Sequence, residues 1–151
     1  MNHILPRKLV FTAILVTFYC WGISCAVSPL GSAFASPSEN AIIEAARIEV
    51  ERQIGRKVLL KVVSLRSEHG WAFLFSRMLG ANGDPLDLTG TMLERPAQAG
   101  TASRAFCALL KQEAGKWRVV TSRIGVTDVA WSGWDRRYGA PSGIFEMTAI
   151  E

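Results

Sequence analysis

The spacing of apolar residues predicts one helix early in the globular part of the chain. From Glu39 to Ile54 the apolar residues recur every three or four positions, so that Ile43, Ala46 and Val50 share one face with Ile54. Charged residues occupy most of the remaining positions in this stretch. The pattern predicts an amphipathic helix of about four turns, long enough to cover one face of a sheet.

Residues of capping type flank this predicted helix. Ser36 carries a hydroxyl that can cap the first turn, and Glu39 adds an acid to that turn. Gly55 can adopt the positive φ that ends many helices. We therefore expect the helix to begin near Ser36 and to stop at Gly55.

Further along the chain, apolar and polar residues alternate with the period of two that is typical of strands. Short turns that contain glycine join these strands in pairs, which predicts two β-hairpins. The predicted strands are Val58–Leu65 with Trp71–Leu79, and Ala105–Gln112 with Trp117–Ile124.

The pattern is least regular between the two hairpins, in residues 80–103. A strong turn signal, Asn82-Gly83, opens this stretch. Because long loops without regular structure are uncommon in compact domains, we expect a short strand near Leu86–Leu93.

A short helix is expected after the second hairpin. Thr127 can cap it, and Asp128 would lie in its positive first turn. Trp131, Trp134 and Tyr138 follow at the spacing of one helical face. The chain is thus predicted to have an α+β fold, in which an N-terminal amphipathic helix packs on an antiparallel sheet of about four strands with a short C-terminal helix, the helices on one side of the sheet.

The first 35 residues have the three-part pattern of an export signal. Arg7-Lys8 precedes an uncharged apolar run at residues 9–27, and a stretch of small residues ends in Ala33-Phe34-Ala35. We predict cleavage after Ala35 and before Ser36, which leaves residues 36–151 as a single domain in the periplasm or outside the cell.

Two other fates of this leader stay open. The uncharged run has 19 residues, which is long enough to span a bilayer as an uncleaved anchor. Cys25 could instead be lipidated, although Gly22 three positions before it is a poor match to that motif. In each case the positive charge before the run sends the domain to the same side of the membrane.

Removing the leader changes what the composition implies. Of 151 residues, 116 remain, with 15 basic and 13 acidic side chains and no run of basic residues of the kind that nucleic-acid binding needs. We therefore expect no nucleic-acid partner, and contact with the membrane only through residues 9–27. Cys107 is the one cysteine left, so no intramolecular disulfide can form, and its apolar neighbours predict a buried thiol.

Five different short blocks are spread through the predicted domain: Gly70-Trp71-Ala72-Phe73, Ala108-Leu109-Leu110, Gly115-Lys116-Trp117-Arg118-Val119-Val120, Gly125-Val126-Thr127-Asp128-Val129-Ala130-Trp131 and Tyr138-Gly139-Ala140-Pro141. Together they resemble a family of small, uncharacterised exported proteins of proteobacteria, which implies export but no particular activity. The order of a helix followed by an antiparallel meander is similar to cystatin-like and NTF2-like domains. That likeness implies the same α+β fold, and fold alone does not imply function.

The predicted domain contains no complete set of residues for a catalytic chemistry. His69 is its one histidine and lies in a predicted turn, and the chain has neither a nucleophile elbow nor a phosphate-binding glycine loop. One histidine and one cysteine are too few for zinc, and we expect no metal and no cofactor. Asp128 has the most specific context of the acids, because aromatic neighbours such as Trp131 can raise the pKa of a carboxyl group by desolvation.

Aromatic and basic residues cluster beside this acid. Core packing is the default expectation for the tryptophans, yet such clusters are also enriched in interfaces. The candidate binding residues are Asp128, Trp131, Trp134, Arg136, Arg137 and Tyr138. The leading hypothesis is a non-enzymatic binding module for an envelope protein or polymer. The alternatives are a small NTF2-like pocket enzyme with Asp128 as general base and a structural accessory of the envelope.

Overall fold

The computed structural model describes residues 36–147, which contain four strands, one long helix and three short helical segments. The elements follow the chain in this order: α1 (Pro37–Ile54), β1 (Leu59–Glu68), β2 (Trp71–Leu79), α2 (Glu94–Gln98), β3 (Ala105–Glu113), β4 (Lys116–Ile124), α3 (Trp134–Tyr138) and a 3-10 turn (Ser142–Phe145). The predicted leader lies outside the described residues, and with it the anchor at residues 9–27, Cys25 and the cleavage residue Ala35. Within residues 36–147, no helix is both long enough and apolar enough to cross a membrane.

The four strands pair in chain order, β1-β2-β3-β4, and every pairing is antiparallel. α1 packs its buried residues against one face of this sheet. The predicted α+β fold, with an N-terminal helix on a four-stranded antiparallel sheet and a short C-terminal helix, is therefore confirmed. We call the face toward α1 the first face and the opposite one the second face.

Side chains at both ends of α1 satisfy backbone groups that a helix leaves unpaired. The Glu39 amide donates to Ser36 Oγ at 3.2 Å, and the Ser36 amide donates to Glu39 Oε2 at 2.6 Å, which completes a capping box. Gly55 ends the helix with a φ of 78°, and its amide donates to the Glu51 carbonyl. The predicted start and end of the helix are both confirmed.

The buried side of α1 begins one residue earlier than predicted. Ile42 is fully buried, whereas Ile43 is only half-buried. The buried row has a constant spacing of four residues, because residues at i and i+4 stack along one stripe of a helix. It consists of Ile42, Ala46, Val50 and Ile54.

The central strands β2 and β3 are buried on both faces. On the first face, Leu74 and Phe106 belong to the core that includes α1. On the second face, Phe73, Cys107 and Leu109 belong to a separate core. Successive residues of a strand point to opposite faces, so these nearly continuous apolar runs require a cover on each side.

The chain after β4 covers the second face. Residues 126–145, which we call the C-terminal segment, bring Trp131, Trp134 and Ile144 into the same core as Phe73. The expectation that the helices gather on one side of the sheet is therefore wrong, since α1 and the C-terminal segment lie on opposite faces. The reason is that apolar side chains of β2 and β3 project to both faces and both sets must be removed from water.

The short C-terminal helix begins later than predicted. Thr127 and Asp128 lie in an irregular stretch with a bend, and α3 begins at Trp134. Gly133, with a φ of 75°, separates α3 from a turn that contains Trp131. The spacing of the two tryptophans therefore comes from successive turns and not from one helical face.

Residues 80–103 form an anchored loop that contains the short helix α2, and no strand forms near Leu86–Leu93, where one was predicted. Three of its leucines are buried, namely Leu86, Leu88 and Leu93. The Arg56 guanidinium donates to the carbonyl oxygens of Asp87 and Thr89, each at 2.8 Å. These carbonyls bond to a side chain and not to a neighbouring strand, so the segment stays irregular.

Both hairpins close with two-residue turns whose central residues have positive φ. The values are 49° and 75° for His69 and Gly70, and 48° and 76° for Ala114 and Gly115. Two positive φ angles are typical of type I′ turns, whose twist matches that of the strands. Ala114 fits this position least well, because its Cβ crowds the backbone in the left-handed region.

Replacing Ala114 with asparagine is expected to stabilise the protein. Asparagine tolerates the left-handed region, so the free energy of unfolding of Ala114→Asn should rise by about 0.5–1 kcal/mol. Urea unfolding measures this change. The matched control is His69→Asn in the other turn, which should change little because histidine already tolerates positive φ. A lower stability of Ala114→Asn would contradict the turn assignment.

Candidate functional site

All the charged residues of the four strands lie on the second face. In the register of the sheet, Lys61 is opposite Arg77, Lys111 is opposite Arg118, and Arg123 is opposite Cys107 of the second-face core. The set has seven basic and two acidic members: Lys61, Arg66, Arg77, Lys111, Lys116, Arg118, Arg123, Glu68 and Glu113. The strand residues that face α1 carry no charge, so the two faces differ sharply in polarity.

Two β-bulges help to bring these charges to one face. β1 and β4 each contain a register shift of one residue. Lys61 and Arg66 are five positions apart and would point to opposite faces of a regular strand, but the extra residue returns them to the same face. The same holds for Arg118 and Arg123 in β4.

The charges on the outer side of α1 are largely paired with one another. The Arg47 guanidinium lies 2.6 Å from a Glu44 oxygen and 2.5 Å from a Glu51 oxygen, and Arg52 lies 2.7 Å from Glu49. The hydrogen bonds from Arg47 and Arg52 hold the pKa values of Glu44 and Glu49 below their usual range. On the second face, Arg118 lies 3.9 Å from Glu113, whereas in the part of the chain that the structure describes Lys61, Arg77 and Arg123 form no ion pair.

Two members of the predicted binding surface, Trp131 and Trp134, lie in the core. Their exposed fractions are 8% and 3%. The Trp131 ring lies 5.3 Å from the Phe73 ring and 5.5 Å from the Phe75 ring, and Trp134 meets Phe73 edge-on at 6.4 Å. These indoles hold the C-terminal segment on the sheet and are not presented to a partner.

The other predicted residues reach the surface. Asp128, Arg136 and Arg137 are exposed, and Tyr138 is half-buried. The two arginines lie on α3, in the segment that covers the second face. They add positive charge to that side of the molecule.

Tyr138 joins the C-terminal segment to β4. Its ring packs edge-on against Trp134 at 6.3 Å. The Thr121 side chain on β4 lowers the pKa of Tyr138 most, and the nearby Arg137 and Arg123 lower it further. One phenol oxygen is therefore close to two arginines beside the edge strand β4.

The groups considered for catalysis lie in solvated or inert surroundings. Asp128 is exposed in a bend, and His69 is exposed in the first hairpin turn, 3.2 Å from Glu68. Cys107 is fully buried in the second-face core, and burial raises the pKa of its thiol to about 12. Within residues 36–147, no three His, Cys, Asp or Glu side chains are gathered in a way that could hold a metal ion.

A groove of about 340 Å³ lies where β2 approaches its end and β3 begins. We call it the Arg77–Arg104 groove. Its lining includes Phe75, Arg77, Ser103, Arg104, Val126 and Thr127. Ser103 Oγ donates to the Val126 carbonyl and accepts from the Ala105 amide at 2.9 Å, which fixes the start of the C-terminal segment to the groove wall.

Sequence reasoning found the basic residues of α3 but missed those of the sheet. Lys61, Arg77 and Arg123 belong to three different strands and come together only through the strand register. The alternation within each strand is readable from the sequence, but the bulges that reverse it are not. Arg104 was missed because it lies at the end of the irregular loop.

No known protein family matches the chain, and neither do curated proteins or solved structures. The resemblance to small exported proteins of proteobacteria therefore stays a prediction. The likeness to cystatin-like and NTF2-like domains also stays a prediction.

Truncating Trp134 and truncating Arg136 should have very different effects on stability. Trp134→Ala removes a buried indole, and the free energy of unfolding should fall by about 3–5 kcal/mol. Arg136→Ala removes an exposed side chain, and the change should stay below about 0.5 kcal/mol. Urea unfolding followed by circular dichroism measures both. A loss under about 1 kcal/mol for Trp134→Ala would show that the indole does not hold the core together.

Proposed function

We propose that this protein is an exported, non-enzymatic binding module whose second face binds an anionic polymer of the cell envelope. The observation that carries the proposal is the one-sided charge of the sheet. Its strands present seven basic and two acidic side chains on the second face and none toward α1. A face with a net positive charge attracts a polyanion from a distance and holds it through several weak contacts.

The C-terminal segment leaves room for such a partner. It covers the middle of the second face, where Phe73, Cys107 and Leu109 are buried. Lys61 on β1 and Arg123 on β4 are exposed, one on each edge strand. Long basic side chains at a rim can adjust to a flexible chain, so a polymer can bind there without disturbing the core.

The exposure of the candidate acid–base groups favours binding over catalysis. Catalytic acids and bases generally owe their shifted pKa values to burial or to a close charge partner. Asp128 is exposed, and the groove beside it is lined by Thr127 and not by Asp128. The surface arginines Arg136 and Arg137 are suited to contact with anions.

The capping box at the start of α1 supports the proposed site of leader removal. Cleavage before Ser36 would leave both members of the box, Ser36 and Glu39, in the mature protein. The new terminal ammonium would replace the Ser36 amide as the donor to Glu39 Oε2, which turns that contact into an ion pair. Cleavage one residue later would remove the cap.

Binding of polyphosphate, a simple polyanion, tests the proposed binding face. Wild-type protein should bind it with an affinity that falls steeply as salt increases. Arg118→Gln combined with Arg123→Gln should weaken binding by roughly 3- to 10-fold, since two contacts are lost. The control with the same charge change is Arg52→Gln combined with Arg95→Gln, at exposed positions on α1 and α2. Equal weakening in the two double variants, or no binding by wild type, would contradict the proposal.

The proposed export makes a separate prediction about the mature chain. Protein recovered from the cell envelope should begin at Ser36, and its mass should lack residues 1–35. Replacing Ala35 with a bulky residue, as in Ala35→Trp, should block this cleavage and leave the leader attached. Terminal sequencing and intact mass measure both forms. A mature protein that keeps residues 1–35 in the wild type would favour the uncleaved anchor.

A further inference from the structure

One of the residues that line the Arg77–Arg104 groove, Arg77, belongs to a pair of like charges that the fold places side by side. Lys61 on β1 lies directly opposite Arg77 on β2 in the antiparallel register, and both are exposed. Like charges at directly opposite positions destabilise a sheet. Within residues 36–147, neither of them forms an ion pair, and Arg104 forms none either.

A second like-charge pair on the same face is compensated. Lys111 on β3 lies opposite Arg118 on β4. The Lys111 ammonium lies 5.0 Å from the centre of the Trp71 ring, a cation–π contact, and Arg118 lies 3.9 Å from Glu113. Among the described residues, the Lys111–Arg118 pair thus has favourable partners, whereas no ion pair or cation–π contact involves Lys61 or Arg77.

Arg104 is held in a position that leaves part of its guanidinium for a ligand. Its Nε donates to the Leu86 carbonyl at 2.6 Å. This bond fixes the plane of the group while the two terminal nitrogens keep their donors. Thr127 also lines the groove, next to Val126, whose carbonyl accepts from Ser103 Oγ.

We propose that the Arg77–Arg104 groove binds a phosphate group of the anionic polymer, with Arg77 and Arg104 as direct ligands and Lys61 at the rim. The proposal rests on the proposed function of the second face and names the chemistry that this face recognises. A bound phosphate would remove the repulsion between Lys61 and Arg77, so the unfavourable pair is maintained for the ligand.

The geometry favours phosphate over carboxylate. A carboxylate has two oxygens in one plane, which one guanidinium fork can satisfy alone. A phosphate presents oxygens in several directions and can accept from Arg77, Arg104 and the Thr127 hydroxyl together. Its larger charge also matches the two arginines that line the groove better than a single carboxylate does.

Titration with inorganic phosphate, at an ionic strength fixed with chloride, tests the groove in the intact protein. Amide NMR shifts of Ala105 and Thr127 should change saturably in the wild type. Arg77→Gln should weaken this binding by about tenfold or more, because a charge-assisted contact is lost. The matched control, Lys111→Gln, removes one positive charge at the other end of the same face and should change it by less than about twofold.

Thermal unfolding shows whether the variants remain folded. Lys61→Gln and Arg77→Gln should each raise the melting temperature by a few degrees without ligand, because each removes the like-charge pair. Lys111→Gln should not raise it, because that lysine is already compensated. A variant that is more stable yet binds less tightly cannot owe its loss of binding to misfolding.

Polyphosphate and polyglutamate then separate the possible outcomes. Two results together support the proposal. Arg77→Gln weakens the binding of polyphosphate far more than Lys111→Gln does, and the wild-type protein binds polyglutamate less tightly than polyphosphate. If the two substitutions weaken polyphosphate binding equally, the groove is not the phosphate site, but the proposed function of the second face is not contradicted. If polyglutamate binds as tightly as polyphosphate, and Arg77→Gln weakens both equally, the groove does not prefer phosphate over carboxylate. If the protein binds inorganic phosphate but does not bind polyphosphate, both the proposal of a polymeric ligand and the proposed function are wrong.

Discussion

The structure depends on the burial of β2 and β3 on both of their faces. These strands carry apolar side chains at nearly every position, so that Leu74 and Phe106 project to one side while Phe73 and Leu109 project to the other. Neither set can be left in water, because burial of apolar surface is the main driving force of folding. One face is covered by the long helix α1 and the other by the C-terminal segment, which is mostly turns.

The positions of these two covers explain where the charges lie. α1 is 18 residues long, and strand charges placed beneath it would lose water without gaining partners. The C-terminal segment packs on the middle of the second face, and side chains at the edges stay in contact with solvent. The sheet therefore carries its seven basic residues there, and the proposed binding face is a consequence of how the core is closed. The like charges of Lys61 and Arg77 lie opposite each other on this face, an arrangement that costs stability.

Much of the fold was predictable because its signals are local. The capping residues Ser36 and Gly55, the alternation in the strands and the turns between them depend on near neighbours along the chain. The short helix was predicted too early because Trp131 and Trp134 have the spacing of a helix, whereas Gly133 between them has a positive φ. The proposed binding face was largely missed because it depends on register and on two bulges, which tertiary pairing determines. Trp131 and Trp134, which the sequence offered as binding residues, lie instead in the core beneath the C-terminal segment.

The accessibility of Cys107 tests most directly whether the C-terminal segment closes the second face. This thiol is fully buried in the same core as Trp131, so an uncharged thiol reagent should reach it only when the segment opens or the protein unfolds. The account predicts that Trp131→Ala speeds labelling of native protein by far more than Val50→Ala, a substitution on the α1 side of the sheet, when the two are compared at equal global stability. Equal labelling rates in the two variants would contradict it.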